Sequence, residues 1–214
     1  MNMKTKEEID REWNEYFISG TDVLKNKLNI NNSDELRKKE VEITLEKLLE
    51  LYDNPIEGNF DKNHLKTIHK YLFEDIYPFA GEYRTVYMGK GNSYFSSVDD
   101  IDMRLDYTFD LMEKEFKSVT SRDMFASFLT TYYIELLYIH PFREGNGRSI
   151  REFIREYANE KSKELMFGQV DFRWDNVDKD EIHKYIDMSV AFRSNIELEF
   201  LKAMEVVNEK NNIK

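Results

Sequence analysis

Hydrophobic and polar positions along the chain follow a helical rhythm with one interruption. Residues 6–17 alternate charge and bulk at helical spacing, with Trp13, Tyr16 and Phe17 as candidate core contacts. SGTDVLKNKLNINNSDE breaks the pattern. Ser33 or Asp34 then caps SDELRKKEVEITLEKLLELY, where Leu36, Val41, Leu45, Leu48, Leu49 and Tyr52 form one apolar face. After the turn NPIEGNF, FDKNHLKTIHKYLFEDIY reads as a second amphipathic helix, with Leu65, Ile68, Leu72 and Phe73 inward and Pro78 as its stop.

The interruption is GEYRTVYMGKGNSYFSS. Tyr83 to Met88 alternates polar and bulky residues, and Gly89-Lys90-Gly91-Asn92 supplies positive-φ positions for a hairpin turn. Helical spacing resumes at VDDIDMRLDYTFDLMEKEF. SRDMFASFLTTYYIELLYI follows, with Met124, Phe125, Phe128, Leu129, Tyr132, Leu136 and Leu137 in register. GRSIREFIREYANEK and DKDEIHKYIDMSVAFRSNIELEFLKAMEVV complete the helices. The prediction is one all-α domain over residues 1–214, carrying a single β-hairpin at about residues 83–97.

Composition sharpens this. Only 8 Gly and 3 Pro punctuate 214 residues, as short loops between helices require. With 15 Phe and 13 Tyr, aromatic packing should dominate the core. The absence of cysteine excludes disulfides and thiolate metal sites, and fits a cytoplasmic setting. A net charge of −11 argues against a broad nucleic-acid footprint, and no apolar run is long enough to span a membrane.

One stretch concentrates chemistry: HPFREGNGRSIR, residues 140–151. Gly145, Asn146 and Gly147 open a helix. A helix start carries unpaired N–H groups and the positive dipole end, and glycines let a phosphate approach closely. Arg148 and Arg151, three apart, project from nearly one face and offer guanidinium forks to a polyphosphate. Glu144, just before this nest, is placed to share a Mg²⁺ ion with phosphate oxygens and water. His140, at the end of the preceding helix, is a natural base for a hydroxyl near neutral pH. Phe142 should anchor the loop in the core. Each feature has a plainer reading: a histidine cap, a glycine turn, arginines paired with Glu152 and Glu156. Their conjunction within twelve residues points to attack of a hydroxyl on a nucleotide phosphate.

HPFREGNGRSIR matches, at every defined position, the pattern HxFx(D/E)GNGRxxR and so resembles the Fic (filamentation induced by cAMP) family. SGTDVLKNKL, HLKTIHKYLFEDIYPFAGEYRTV and the hairpin resemble that family as well, over roughly residues 10 to 200. The resemblance implies a Fic-type helical bundle and a protein adenylyltransferase that moves AMP from ATP to a Ser, Thr or Tyr hydroxyl of a target protein. It implies His140 as general base, Glu144 as Mg²⁺ ligand, Gly145, Asn146 and Gly147 as anion hole, and Arg148 and Arg151 as β/γ-phosphate contacts. The hairpin, with Met88, Gly89, Lys90, Gly91 and Asn92 at its tip, resembles the family's target-docking flap. Self-modification is a further implication, with Thr85, Tyr87, Ser93 and Tyr94 as hydroxyls near the flap.

Many family members carry an inhibitory helix with the pattern (S/T)xxxE(G/N), whose glutamate pairs with the second motif arginine, here Arg151. Only Thr131 to Glu135 has that spacing, and it lies within the helix leading to the motif. Asn31 to Glu35 lacks the hydroxyl residue, which leaves Glu35 as a degenerate candidate. The alternatives are inhibition in trans by an antitoxin-like partner, or no inhibition of this kind. Two other readings use the same residues. One is the same fold with another donor: the resemblance and an intact Gly147 argue against transfer of a bare phosphate, while GTP or UTP as donor stays open because the base pocket lies outside the motif. The other is a non-catalytic nucleotide-binding module. Tyr157 and Tyr185 are candidate walls of a base pocket, with buried core aromatics as the plainer reading.

Overall fold

Seven α-helices are present among the described residues of the computed structural model, which comprise 5–90, 93–178 and 193–207. The helix α1 (Lys6–Asn14) starts with a capping box. The Thr5 hydroxyl accepts from Glu8 N–H, and the Glu8 carboxylate accepts from Thr5 N–H at 2.7 Å. α2 (Ser33–Asp53) is capped by neither Ser33 nor Asp34. Asn32 takes that place one residue earlier, its Oδ1 accepting from Glu35 N–H at 3.0 Å. In α3 (Lys62–Phe73), Leu65, Ile68, Leu72 and Phe73 are buried as expected, and so is His69.

α2 departs most from its pattern. Leu36 is buried, but Val41, Leu45 and Leu49 are 54%, 55% and 63% exposed, and Tyr52 is exposed too. The inward stripe is Leu36, Glu40, Thr44 and Leu51. Apolar periodicity misreads the helix because what lies opposite Glu40 and Thr44 is polar: Tyr77 and Arg148.

The hairpin is shorter than predicted. β1 (Gly89–Lys90) pairs antiparallel with β2 (Ser93–Tyr94), Gly89 opposite Tyr94 and Lys90 opposite Ser93. Gly89 and Lys90 are therefore strand rather than turn, and Gly91 and Asn92 lie outside the described residues. Tyr83 to Met88 belongs to no strand. Its alternation reflects burial of Arg84 and Val86 against exposed Thr85 and Tyr87, and Arg84 N–H donates to the Pro141 carbonyl at 2.8 Å.

α4 (Ile101–Phe116) follows a short 3₁₀ turn; α5 (Arg122–Ile139) leads into the 140–151 motif, and α6 (Asn146–Lys161) starts within it. A second small sheet was not legible in the sequence. β3 (Val170–Phe172) pairs with β4 (Met204–Val206), which directly follows α7 (Arg193–Ala203). Three-residue strands are too short to show a period, and their partner is distant in sequence. Residues 179–192 of the predicted closing helix, with Tyr185, lie outside the described residues.

The chain forms two compact units: residues up to Leu105 with Tyr138–Ser149, and Asp106–Leu137 with residues from Ile150 onward. In the first, Leu51, Ile76, Val86, Ile139 and Phe142 are buried, as is the inner face of α3. In the second, aromatic rings dominate. Phe172, Trp174 and Phe200 meet edge to face, and Tyr157 sits among Phe116, Phe128 and Phe153. Tyr157 is thus a buried core aromatic. Phe125, Phe128, Leu129, Tyr132 and Leu136 are buried as expected, whereas Met124 is exposed. No described helix is long and apolar enough to cross a membrane.

Candidate active site

α5 ends at Ile139, one residue short of His140. His140 adopts φ +50°, a left-handed backbone uncommon outside glycine, and this turns the chain out of the helix. The loop that follows is closed by Asn146. Its Oδ1 accepts from Phe142 N–H at 2.8 Å, and its Nδ2 donates to the Phe142 carbonyl at 2.7 Å. Only a side-chain amide supplies acceptor and donor in that fork. Gly145 takes φ +80°, and a Cβ there would overlap the Phe73 ring. Ser149 N–H donates to the Gly145 carbonyl at 3.1 Å. By helix geometry the N–H groups of Asn146, Gly147 and Arg148 have no intrahelical acceptor, so they form an anion-facing helix start.

Phe142 is buried, as predicted, and stacks on the His69 ring at 3.8 Å and 12°. His69 escaped the sequence reading. Gly81 N–H donates to its Nδ1 at 2.8 Å, so Nδ1 is unprotonated and Nε2 carries the hydrogen donated to the Glu144 carbonyl at 2.9 Å. Burial pushes its pKa down to about 4. A neutral imidazole thus ties α3, the Gly81 turn and the motif loop together.

The His140 ring stacks on Phe95, just beyond β2, with centroids 3.7 Å apart and planes 2° from parallel. Arg143 is buried and held by α1 and the residues after it. Its guanidinium lies 4.5 Å from the Trp13 ring, 5.3 Å from Phe17 and 5.4 Å from Tyr16. The three aromatics read as core are half-buried walls of a cage for one arginine.

Glu144 Oε1 accepts from Gly145 N–H at 2.9 Å, and its side chain is partly exposed. Among the described residues, no group of three or more His, Cys, Asp or Glu side chains could hold a metal unaided. One accessible carboxylate beside a helix start fits Mg²⁺, whose remaining positions go to phosphate and water.

Arg148 lies over the Phe73 ring at 4.7 Å. Its Nη2 meets Glu40 Oε1 at 2.5 Å, its Nη1 donates to Thr44 Oγ1 at 3.2 Å, and Glu144 Oε1 is 3.6 Å away. Glu35 stands exposed in the first turn of α2. The α2 carboxylate that reaches the motif is Glu40, five residues further on, and it reaches Arg148. Arg151 belongs to the second unit. Its carbonyl accepts from Trp174 Nε1 at 2.9 Å. Burial raises the Tyr133 pKa while Arg151 opposes the shift.

In the hairpin, Phe95 N–H donates to the Met88 carbonyl at 3.1 Å. Gly89 is exposed and Tyr94 is 80% exposed. Thr85 is engaged with Tyr16 at 3.2 Å, and Tyr87 with Asp99 at 3.2 Å.

A helical protein with a histidine loop opening onto an anion-facing helix start is the class that the fold and the site define. The Fic/DOC family profile matches residues 59–158. The protein adenylyltransferase VbhT of Bartonella schoenbuchensis is 34% identical over 168 residues, covering 78% of this chain and 34% of that protein. The probable protein adenylyltransferase Fic of Escherichia coli is 30% identical over 144 residues, covering 67% of this chain and 71% of that one. The BepC protein of Bartonella tribocorum, solved with bound AMPPNP, superposes with a TM-score of 0.77 at 19% identity, over 91% of this chain and 98% of that one. This chain belongs to the Fic/DOC family. It spans about a third of the length of VbhT and seven tenths of the Escherichia coli relative.

Proposed function

We propose that this protein is an adenylyltransferase that moves AMP from ATP to a hydroxyl on a target protein. The observation that carries it is the 140–148 loop. A single short turn, closed by Asn146, presents the His140 imidazole and the N–H groups of a helix start. Relatives at 30–34% identity are named protein adenylyltransferases, which supports the same activity here.

In this reading the target hydroxyl oxygen forms a bond to the α-phosphorus of ATP. The bond from that phosphorus to the bridging oxygen breaks, pyrophosphate leaves, and His140 takes the hydroxyl proton. The amides of Asn146, Gly147 and Arg148 bind phosphate oxygens, with Gly145 shaping their approach. Arg148 meets the β- and γ-phosphates. Glu144 would hold Mg²⁺, which neutralises phosphate charge when bound. The edge of β1 and β2, with Met88, Gly89 and Lys90, registers a target segment through backbone hydrogen bonds.

The test is incubation with α-labelled ATP and Mg²⁺, beside His140→Ala, in a lysate and alone. Label on protein with the wild type, and its loss by about 10²–10⁴-fold in the variant with ATP binding retained, is expected. Equal labelling by both proteins, or no ATP binding by the wild type, overturns the reading.

A further inference from the structure

Arg84 is a buried arginine whose recorded partners are all carbonyl oxygens. Its Nε donates to the His140 carbonyl at 2.8 Å, and its Nη1 to Val86 at 2.7 Å. Its Nη2 donates to Ser96 at 2.5 Å and, at 3.4 Å, to Ile139. Burial lowers its pKa, so the charge is held at a cost that these acceptors help to offset.

The position of the four acceptors is informative. Val86 precedes β1 and Ser96 follows β2, so they are the two feet of the hairpin. Ile139 and His140 are the last helical residue of α5 and the left-handed residue after it. Two backbone bonds run in parallel: Ser96 N–H to the Tyr138 carbonyl at 3.2 Å, and Arg84 N–H to the Pro141 carbonyl at 2.8 Å. Between the hairpin feet and the histidine, Phe95 lies flat on the imidazole at 3.7 Å. One planar guanidinium therefore closes both feet of the hairpin onto the carbonyl of a residue in a sparsely populated backbone conformation.

We propose that Arg84 is a positioning residue that locks the hairpin and the His140 backbone into one unit, so that the hairpin's state sets where the imidazole points. The catalytic part of this rests on the transferase reading above; the structural part does not. A peptide docked on the exposed hairpin edge would be referred directly to the base that must take its proton. Arg84 itself touches neither nucleotide nor target. A lysine in its place keeps a charge but has one nitrogen, which cannot meet four carbonyls on two segments.

The experiment compares wild type with Arg84→Lys by two readouts. The first is steady-state transfer of label. A misplaced imidazole should lower kcat by roughly 10²-fold while KM for ATP moves by less than about twofold. The second is the His140 ring resonances in the NMR spectrum, which need no turnover. They should shift in Arg84→Lys, and the stacking shift from Phe95 should shrink. Unmoved His140 resonances in the folded variant overturn the proposal, as does an unchanged kcat in an active protein. If the wild type transfers no label, the transferase reading fails and the ring resonances alone judge Arg84. If Arg84→Lys does not fold, the wild-type Arg84 Nε–H decides. Protection from solvent exchange comparable to core amides is expected of a clamp, and exchange at the rate of a free guanidinium overturns it.

Discussion

Glu40 and Arg148, 108 residues apart in sequence, meet at 2.5 Å between Oε1 and Nη2. The other Glu40 oxygen accepts from the Tyr77 hydroxyl, and Thr44, one turn along α2, meets the same guanidinium. Burial and the Glu40 charge together hold the Tyr77 phenol well above its ordinary pKa. Glu40→Ala would leave a half-buried arginine and a buried phenol short of their partner. It is expected to cost about 3 kcal/mol in urea denaturation. Glu40→Gln keeps a hydrogen-bonding group but removes a charge that competes with phosphate for Arg148. Its affinity for ATP by calorimetry should rise roughly fivefold, about 1 kcal/mol.

His69 gives a pH dependence whose sign follows from its burial. Its folded pKa is about 4 against an ordinary 6.5, so between those values the unfolded chain binds more protons. Its contribution is fully present above about pH 6.5 and is lost as pH falls toward 4, by about 3 kcal/mol in all. Urea midpoints measured at pH 7 and pH 5 should show this fall. His69→Gln should lower stability at pH 7 and flatten that slope.

Gly145→Ala forces a side chain into a left-handed position where its Cβ overlaps the Phe73 ring. Strain of roughly 1–3 kcal/mol from the backbone adds to the steric conflict. A thermal shift should show substantial destabilisation. Phe73→Leu combined with it should recover part of the loss, because the two changes meet at one contact.

Trp13→Ala should act at a distance along the chain. α1 buries no residue of its own, and Trp13 reaches the body of the protein over Arg143. Loss of that cation–π contact, worth about 2 kcal/mol where water is excluded, should free the N-terminal segment. Limited proteolysis should then cut before residue 25 at rates well above wild type, while cleavage elsewhere stays unchanged.

The sequence by itself determined the helices and the chemistry of the motif. α3 and α5 bury most of the apolar positions their periods mark, and residues 140–151 carry their chemistry in adjacent positions that no folding step rearranges. Tertiary structure decided what periodicity cannot encode. α2 turns Glu40 and Thr44 inward because an arginine more than a hundred residues away lies there, and a polar inward stripe reads as a solvent face. His69 and Arg84 looked like ordinary helix and strand residues. Their roles depend on carbonyl oxygens of distant segments, and every residue has a carbonyl, so no residue type in the sequence marks the partner. The pairing of β3 with β4 joined segments whose three-residue lengths carry no period.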